Sequence, residues 1–263
     1  MSSVLVEKKG NIAWLTLNRP EKLNVLGLEM PADLRRCTEE LKNDEQVKCV
    51  IIKGAGDHFM AGGDIDYFKS LVDAYALEGE SALPDDMFSD LHQAILNVTS
   101  MQKPVIASVQ GAVAGFGLSL MLACDMAVAA DSAVLSVAYC KIGTTPDGGM
   151  TYFLPRAVGQ KRAMELGLTG KRFSAEQAEQ WGMVNQVVSS DELEAKTNTL
   201  AETLCKGPSD VLARTKQLLN QTYDVSLKDR LDEEASNFYS SMLKEDFTEG
   251  VTSFCEKRRS QFK

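Results

Sequence analysis

"KPVIASVQGAVAGFGLSLMLACDMAVAA", Lys103–Ala130, is the stretch on which the fold turns. Lys103-Pro104 stops whatever helix precedes it, and "PVIASVQG" reads as a strand. Glycines then lead into "LSLMLA", a helix with no polar face, and "MAVAA" is a second strand. Strand, buried helix and strand in close succession point to an α/β protein with parallel strands and crossover helices.

Outward from that centre the pattern repeats. "VLVEKKGNIAWLTLNRP" carries two alternating apolar runs around Lys-Lys-Gly-Asn, the signature of a β-hairpin ended by Pro20. Met30, Leu34, Cys37 and Leu41 have the spacing of an amphipathic helix, and "VKCVIIKGAG" is a strand closed by glycines. "HFMAGGDIDYF" is a glycine-bearing loop that opens a helix. Residues 70–86, polar and weakly periodic, read as an irregular insert, after which Phe88, Leu91, Ile95 and Val98 restore helical spacing. Downstream, Ser174 caps the short helix of "SAEQAEQWG", and the last fifty-odd residues are charged and helical throughout. The expected organisation is an α/β core over 1–200 and a helical region over 201–263.

The 263 residues, 44% hydrophobic and 25% charged, suit a globular protein of one large domain. A net charge of -9 argues against a sequence-independent grip on nucleic acid. Cys37, Cys49, Cys124, Cys140, Cys205 and Cys255 show no CxxC pair or metal spacing, so buried free thiols are expected and no metal site. The N-terminus lacks a signal-peptide pattern and no window has a membrane span's length of apolar residues, which points to a cytoplasmic protein without a membrane partner.

One segment fits none of this. "KIGTTPDGGM", Lys141–Met150, sets a single carboxylate, Asp147, among glycines, threonines and a proline. By local sequence it is an N-cap for the helix that follows. A second reading comes from the whole chain. "LNRPEKLNVL", "FMAGGDI", the central stretch quoted above, "TGKRFSAEQAEQWGMVNQVV" and "DFTEGVTSFCEKR" occur in the order that resembles the enoyl-CoA hydratase/isomerase (crotonase) superfamily. The resemblance implies a spiral of ββα units with a C-terminal helical region, a homotrimer or hexamer, an acyl-CoA thioester as substrate and no resident cofactor.

It also implies two main-chain donors for the thioester oxygen, the amides of Gly63 and Phe116. Glycine lets the backbone approach a ligand, and a helix N-terminus favours negative charge. The plain alternative is that these glycines serve tight turns and close helix packing. Phe116 stands where the family usually has glycine, so its ring is expected to shape the acyl pocket. Coenzyme contacts fall by resemblance on Lys22, Leu23, Ala61, Ile65, Phe238, Phe254 and Lys257, the last three serving a neighbouring subunit. Asp66 stands where many relatives carry a basic residue.

Hydratases of the superfamily hold water with two glutamates, and the matching positions here are Ser119 and Tyr139. Neither is a carboxylate base, which disfavours hydration. Many isomerases of the superfamily carry one acid in the loop that "TPDGGM" resembles. One acid suffices to move a proton from C2 to C4 of an enolate, and burial would make Asp147 a better base. The expected activity is therefore double-bond isomerisation of the Δ3–Δ2 kind. The region also resembles the 4-chlorobenzoyl-CoA dehalogenases, in which an aspartate and a histidine stand at the positions of Asp147 and His92, and a tryptophan at that of Tyr139. His92 reads equally as a half-buried packing residue, and His58 as a loop-edge residue. A non-catalytic, RNA-binding relative is the remaining alternative, which the acidic charge disfavours.

Overall fold

The structure, a computed structural model, describes residues 2–79 and 87–262. β1 (Val4–Lys9) and β2 (Ile12–Leu17) form the expected antiparallel hairpin. β3 (Cys49–Gly54), β4 (Val105–Val109), β6 (Met126–Ala130) and β9 (Gln186–Val188) continue from β2 in parallel, giving a six-stranded sheet in the order β1-β2-β3-β4-β6-β9. Side chains alternate between two buried faces, as period-2 geometry requires. In β3, Val50 and Ile52 join the larger core, while Cys49 and Ile51 join a smaller one on the opposite face.

The larger core is roofed by α1 (Met30–Asn43), α3 (Met87–Ser100) and α4 (Phe116–Ala123). Met30, Leu34, Cys37 and Leu41 are all buried, as their spacing foretold. On α3, Leu91, Ile95 and Val98 are buried, but Phe88 is half exposed and contributes nothing to the core. α8 (Leu193–Cys205) covers the other face, with Leu193 and Ala201 in the smaller core. The expected boundary after residue 200 thus falls inside a helix that belongs to the sheet.

A second, three-stranded sheet runs β5 (Ala112–Ala114), β7 (Val134–Ser136), β8 (Arg172–Ser174). Met60 bridges Val113 in parallel, so the segment after β3 lies beside β5. Each turn of the chain therefore gives one segment to the large sheet and the next to the small one, then crosses back by a helix. This is the expected spiral of ββα units.

α2 (Ile65–Glu78) corrects one expectation: residues 70–78 are helical. Its N-cap Asp64 accepts from the amides of Asp66 and Tyr67, and Lys69 pairs with Asp73 one turn on. No residue of α2 is fully buried, so the apolar periodicity was weak. Residues 80–86 of that expectation lie outside the described residues. α5 (Met150–Val158), α6 (Gln160–Thr169) and α7 (Ala175–Gln180) follow, α7 opened by Ser174 in a capping box with Gln177. α9 (Ser209–Asn220), α10 (Leu227–Met242) and α11 (Glu245–Glu256) complete the helical region. All six cysteines are free, but only Cys37 and Cys49 are buried; Cys124 and Cys205 are partly buried and Cys140 and Cys255 exposed. Among the described residues no helix is long and apolar enough to cross a membrane.

Candidate active site

Two loops meet where the small sheet begins. The Met60 amide donates to Ala112 O at 3.0 Å and the Ala114 amide to Met60 O at 2.9 Å. Just beyond, Gly62 and Gly115 lie close together, both at positive φ (90° and 52°). A Cβ on Gly62 would lie 3.2 Å from Ala114 O, and one on Gly115 would lie 3.4 Å from Gly62 Cα. The Gly62 contact is tight and the Gly115 contact ordinary, but the positive φ at both is a conformation that glycine adopts most readily.

The two residues that follow these glycines carry the candidate donors. Leu26 donates to Gly62 O at 2.8 Å and accepts from the Asp64 amide at 3.0 Å. That bridge straddles Gly63 and leaves its own amide without a partner among the described residues. Phe116 opens α4, and a helix start has no intrahelical acceptor for its first amides. Its amide is likewise unpartnered among the described residues. Two free amides on neighbouring backbones, one at a helix N-terminus, form a place suited to an anionic oxygen.

A carboxyl completes the site. Asp147 stands half-buried between a 3-10 turn, Tyr139–Ile142, and α5. It does not cap α5, whose N-cap is Gly149. Its carboxyl instead accepts the hydroxyl of Tyr139 at Oδ1. Ser119 Oγ donates to Asp147 O at 2.9 Å and lies 3.0 Å from the Tyr139 hydroxyl. Burial pushes the Asp147 carboxyl above its ordinary value, opposed by the Tyr139 hydrogen bond and the charge of His92. Burial and the neighbouring carboxylate push the Tyr139 phenol up, so it stays protonated.

Phe116 is 2% exposed, so its ring does not project into an open pocket. It lies beneath the turn at Gly148, where a Cβ would meet ring atoms at 2.8 Å. The residue that supplies the second amide thus also supports the acid.

The sequence profile of the Enoyl-CoA hydratase/isomerase family matches residues 7–263. A relative from Escherichia coli K12, 1,2-epoxyphenylacetyl-CoA isomerase, is 36% identical over 262 residues, covering 100% of this chain and 98% of its own. The chain belongs to the enoyl-CoA hydratase/isomerase family. Among solved structures, an enoyl-CoA hydratase from Polaromonas sp. JS666 superposes with a TM-score of 0.91 at 32% identity, covering 99% of both chains. One from Bacillus anthracis gives 0.89 at 29%, again covering 99% of both.

In this family member, Phe116, Ser119, Tyr139 and Asp147 pack together, and Gly63 is brought near them by the approach of Gly62 to Gly115. His92 is exposed on α3, tilted against the Phe88 ring at 6.2 Å, and not the half-buried packing residue expected. Tyr139 has no indole N–H, yet its phenol supplies an equivalent donor. His58 is half-buried, its Nδ1 accepting from the Ala112 amide at 3.0 Å beneath the loops.

Ala61 lies on the first of the two loops, between β3 and α2, Ile65 opens α2, and Lys22 and Leu23 lie on the segment after β2 that packs against that loop. The Ala61 amide donates to Leu23 O at 3.1 Å, while Leu23 and Ile65 are exposed. The Lys22 ammonium is paired with Asp66, the residue that replaces the expected base. Phe238 and Phe254 are exposed on α10 and α11, and Lys257 ends α11; these helices pack chiefly on each other and on α9, so one chain does not gather them with the first loop.

Sequence reasoning missed three residues that hold that loop. Arg19 donates to Val25 O at 2.8 Å and to Asp64 Oδ2 at 3.0 Å. Asn24, fully buried at φ 55°, donates to the carbonyls of Ala55 and His58. Asp64 was legible as an N-cap before an apolar residue. Arg19 and Asn24 act across long sequence separations, which no local pattern marks.

Proposed function

We propose that this protein is an acyl-CoA isomerase in which Asp147 moves a proton while the amides of Gly63 and Phe116 hold the negative charge. The observation that supports the reading is a half-buried carboxyl anchored by Tyr139, on a turn that rests on the Phe116 ring, with the amides of Phe116 and Gly63 unpartnered among the described residues. Asp147 takes a proton from C2 of the thioester; the electrons pass to the thioester oxygen, which the amides stabilise as the enolate. The same carboxyl returns the proton at C4 and the electrons flow back into the new double bond. Each amide is worth about 3 kcal/mol of barrier. Ser119 and Tyr139, standing where a hydratase would carry glutamates, have no carboxylate with which to activate water.

The E. coli relative's name supports an isomerase and directs attention to aryl-acyl thioesters. A groove of about 750 Å³ has Gly149, two residues from Asp147, in its wall together with Leu96, Tyr152, Arg156, Lys216 and Tyr223. Lys22, Leu23, Ala61 and Ile65 would meet the coenzyme, with Phe238, Phe254 and Lys257 contributed across a trimer.

Assays of 3-enoyl-CoA, 2-enoyl-CoA and 4-chlorobenzoyl-CoA with wild type and Asp147→Asn test this. Isomerisation abolished in Asp147→Asn is the expected result. Isomerisation, or water addition, that survives in the variant overturns it. A second reading, dehalogenase-like hydrolysis with Asp147 as nucleophile and His92 as base for the ester that forms, requires steady-state chloride release that His92→Gln reduces to a single turnover.

A further inference from the structure

Tyr139 and Ser119 have lost the carboxylates a water-activating site needs, and the structure shows what their hydroxyls do instead. Tyr139 is 7% exposed and Ser119 fully buried, so both need partners inside the protein. An ionised carboxylate only accepts, so the Tyr139 O–H must donate to Asp147 Oδ1. The Ser119 hydroxyl then turns to the Asp147 main-chain oxygen at 2.9 Å. Both polar hydrogens end on the same residue, one on its side chain and one on its backbone.

The approach to Tyr139 is itself constrained. Ala138, immediately before it, holds φ 62°, a left-handed conformation unfavourable for any residue with a Cβ. Tyr139 N donates to Val137 O at 2.8 Å across that residue, and the 3-10 turn begins there. Strain of this kind persists only where the surroundings over-determine it. Here it aims a phenol at the acid.

We infer that Tyr139 is the positioning residue of Asp147: it engages Oδ1 in every protonation state, which leaves Oδ2 as the proton-transfer atom and commits the site to isomerisation rather than hydration. This rests on the reading of Asp147 as the acid–base group. With the carboxylate ionised, Oδ1 accepts from Tyr139 and Oδ2 takes the C2 proton. With the proton on Oδ2, Oδ1 is the carbonyl oxygen and still accepts the same hydrogen bond. The phenol keeps its proton throughout, so Tyr139 transfers nothing and acts only through Asp147. The titratable groups facing Asp147 are Tyr139 and, from α3, His92. α4 carries none, and the nearest on α5, Tyr152, has its ring against Phe153 and Arg156.

The test is the pH profile of isomerisation, whose acid limb reads the protonation of Asp147. Tyr139→Phe removes a hydrogen bond that favours the carboxylate, so the limb moves to higher pH and kcat falls about ten- to a hundredfold with KM little changed. Site-specific 3-fluorotyrosine at position 139, a stronger donor of the same shape, moves the limb to lower pH and reads the same point if the Phe variant fails to fold. Limbs that stay in place, or move in the same direction in both proteins, overturn the inference and leave the assignment of Asp147 intact. Activity retained in Asp147→Asn brings down both.

Discussion

At the scale of single residues, Asp147 carries a cost that its function explains. Burial raises its carboxyl above the ordinary value, so the folded state disfavours the ionised form. That cost is fully present above the folded-state value and disappears below the unfolded one. Asp147→Asn is therefore expected to raise the melting temperature at neutral pH while abolishing activity. Melts repeated below the ordinary carboxylate range should show the gain gone, because wild-type Asp147 is then protonated. A gain independent of pH would assign the stabilisation to something other than charge burial. Gly148 is the second informative residue, at φ 57° with the Phe116 ring beneath it. In Gly148→Ala the new Cβ would lie 2.8 Å from the ring and 3.0 Å from Ser119 Cβ, too close to the ring to be accepted without a shift, and the positive φ strains the turn further. A displacement of Asp147 by even 1 Å is expected to lower kcat by about a hundredfold, and steady-state kinetics alongside a melt separate this from simple unfolding.

At the scale of elements, the first amide depends on how α2 begins. Asp64 is 7% exposed, caps α2 and accepts Arg19. Burial pushes its carboxyl up, but Arg19, the Tyr67 amide and Lys22 together hold it below the ordinary value. Asp64→Ala removes the cap, worth about 1 kcal/mol, and leaves the Arg19 guanidinium without its carboxylate beside Gly63. The expected result is a modest fall in stability and a larger fall in kcat, since the Leu26–Gly62 bridge that exposes the Gly63 amide loses its support. Equal loss in both, measured by denaturation and by kcat, would reduce Asp64 to a cap alone.

At the scale of the molecule, one buried ion pair fastens the helical region to the core. Lys216 on α9 reaches Asp125 at 2.8 Å and the carbonyls of Val98 and Lys103 at 3.0 and 3.2 Å. Burial raises the Asp125 carboxyl, and Lys216 and the Val105 amide oppose that rise. Lys216→Met strands a buried carboxylate and is expected to cost about 3–5 kcal/mol, much of it restored by adding Asp125→Asn. Urea denaturation measures the cycle, and early proteolytic release of residues beyond α8 in the single variant would show which end lets go.

The sequence by itself determined the element order, the parallel sheet, the family and the candidate donors and acid. Apolar periodicity, glycine punctuation and an ordered set of motifs are local properties of the chain, and burial enforces them wherever the core is thick. It failed where burial is thin, as in α2, whose residues 70–78 looked irregular because none is fully buried. Only the tertiary structure decided that the Phe116 ring lies under Gly148, that Asp147 holds Tyr139 instead of capping α5, and that His92 is exposed on α3. It also brought Arg19 and Asn24 to the first loop and Lys216 to Asp125. Each of these is a contact between residues far apart along the chain, and a polar side chain's partner is chosen by the geometry that folding creates around it.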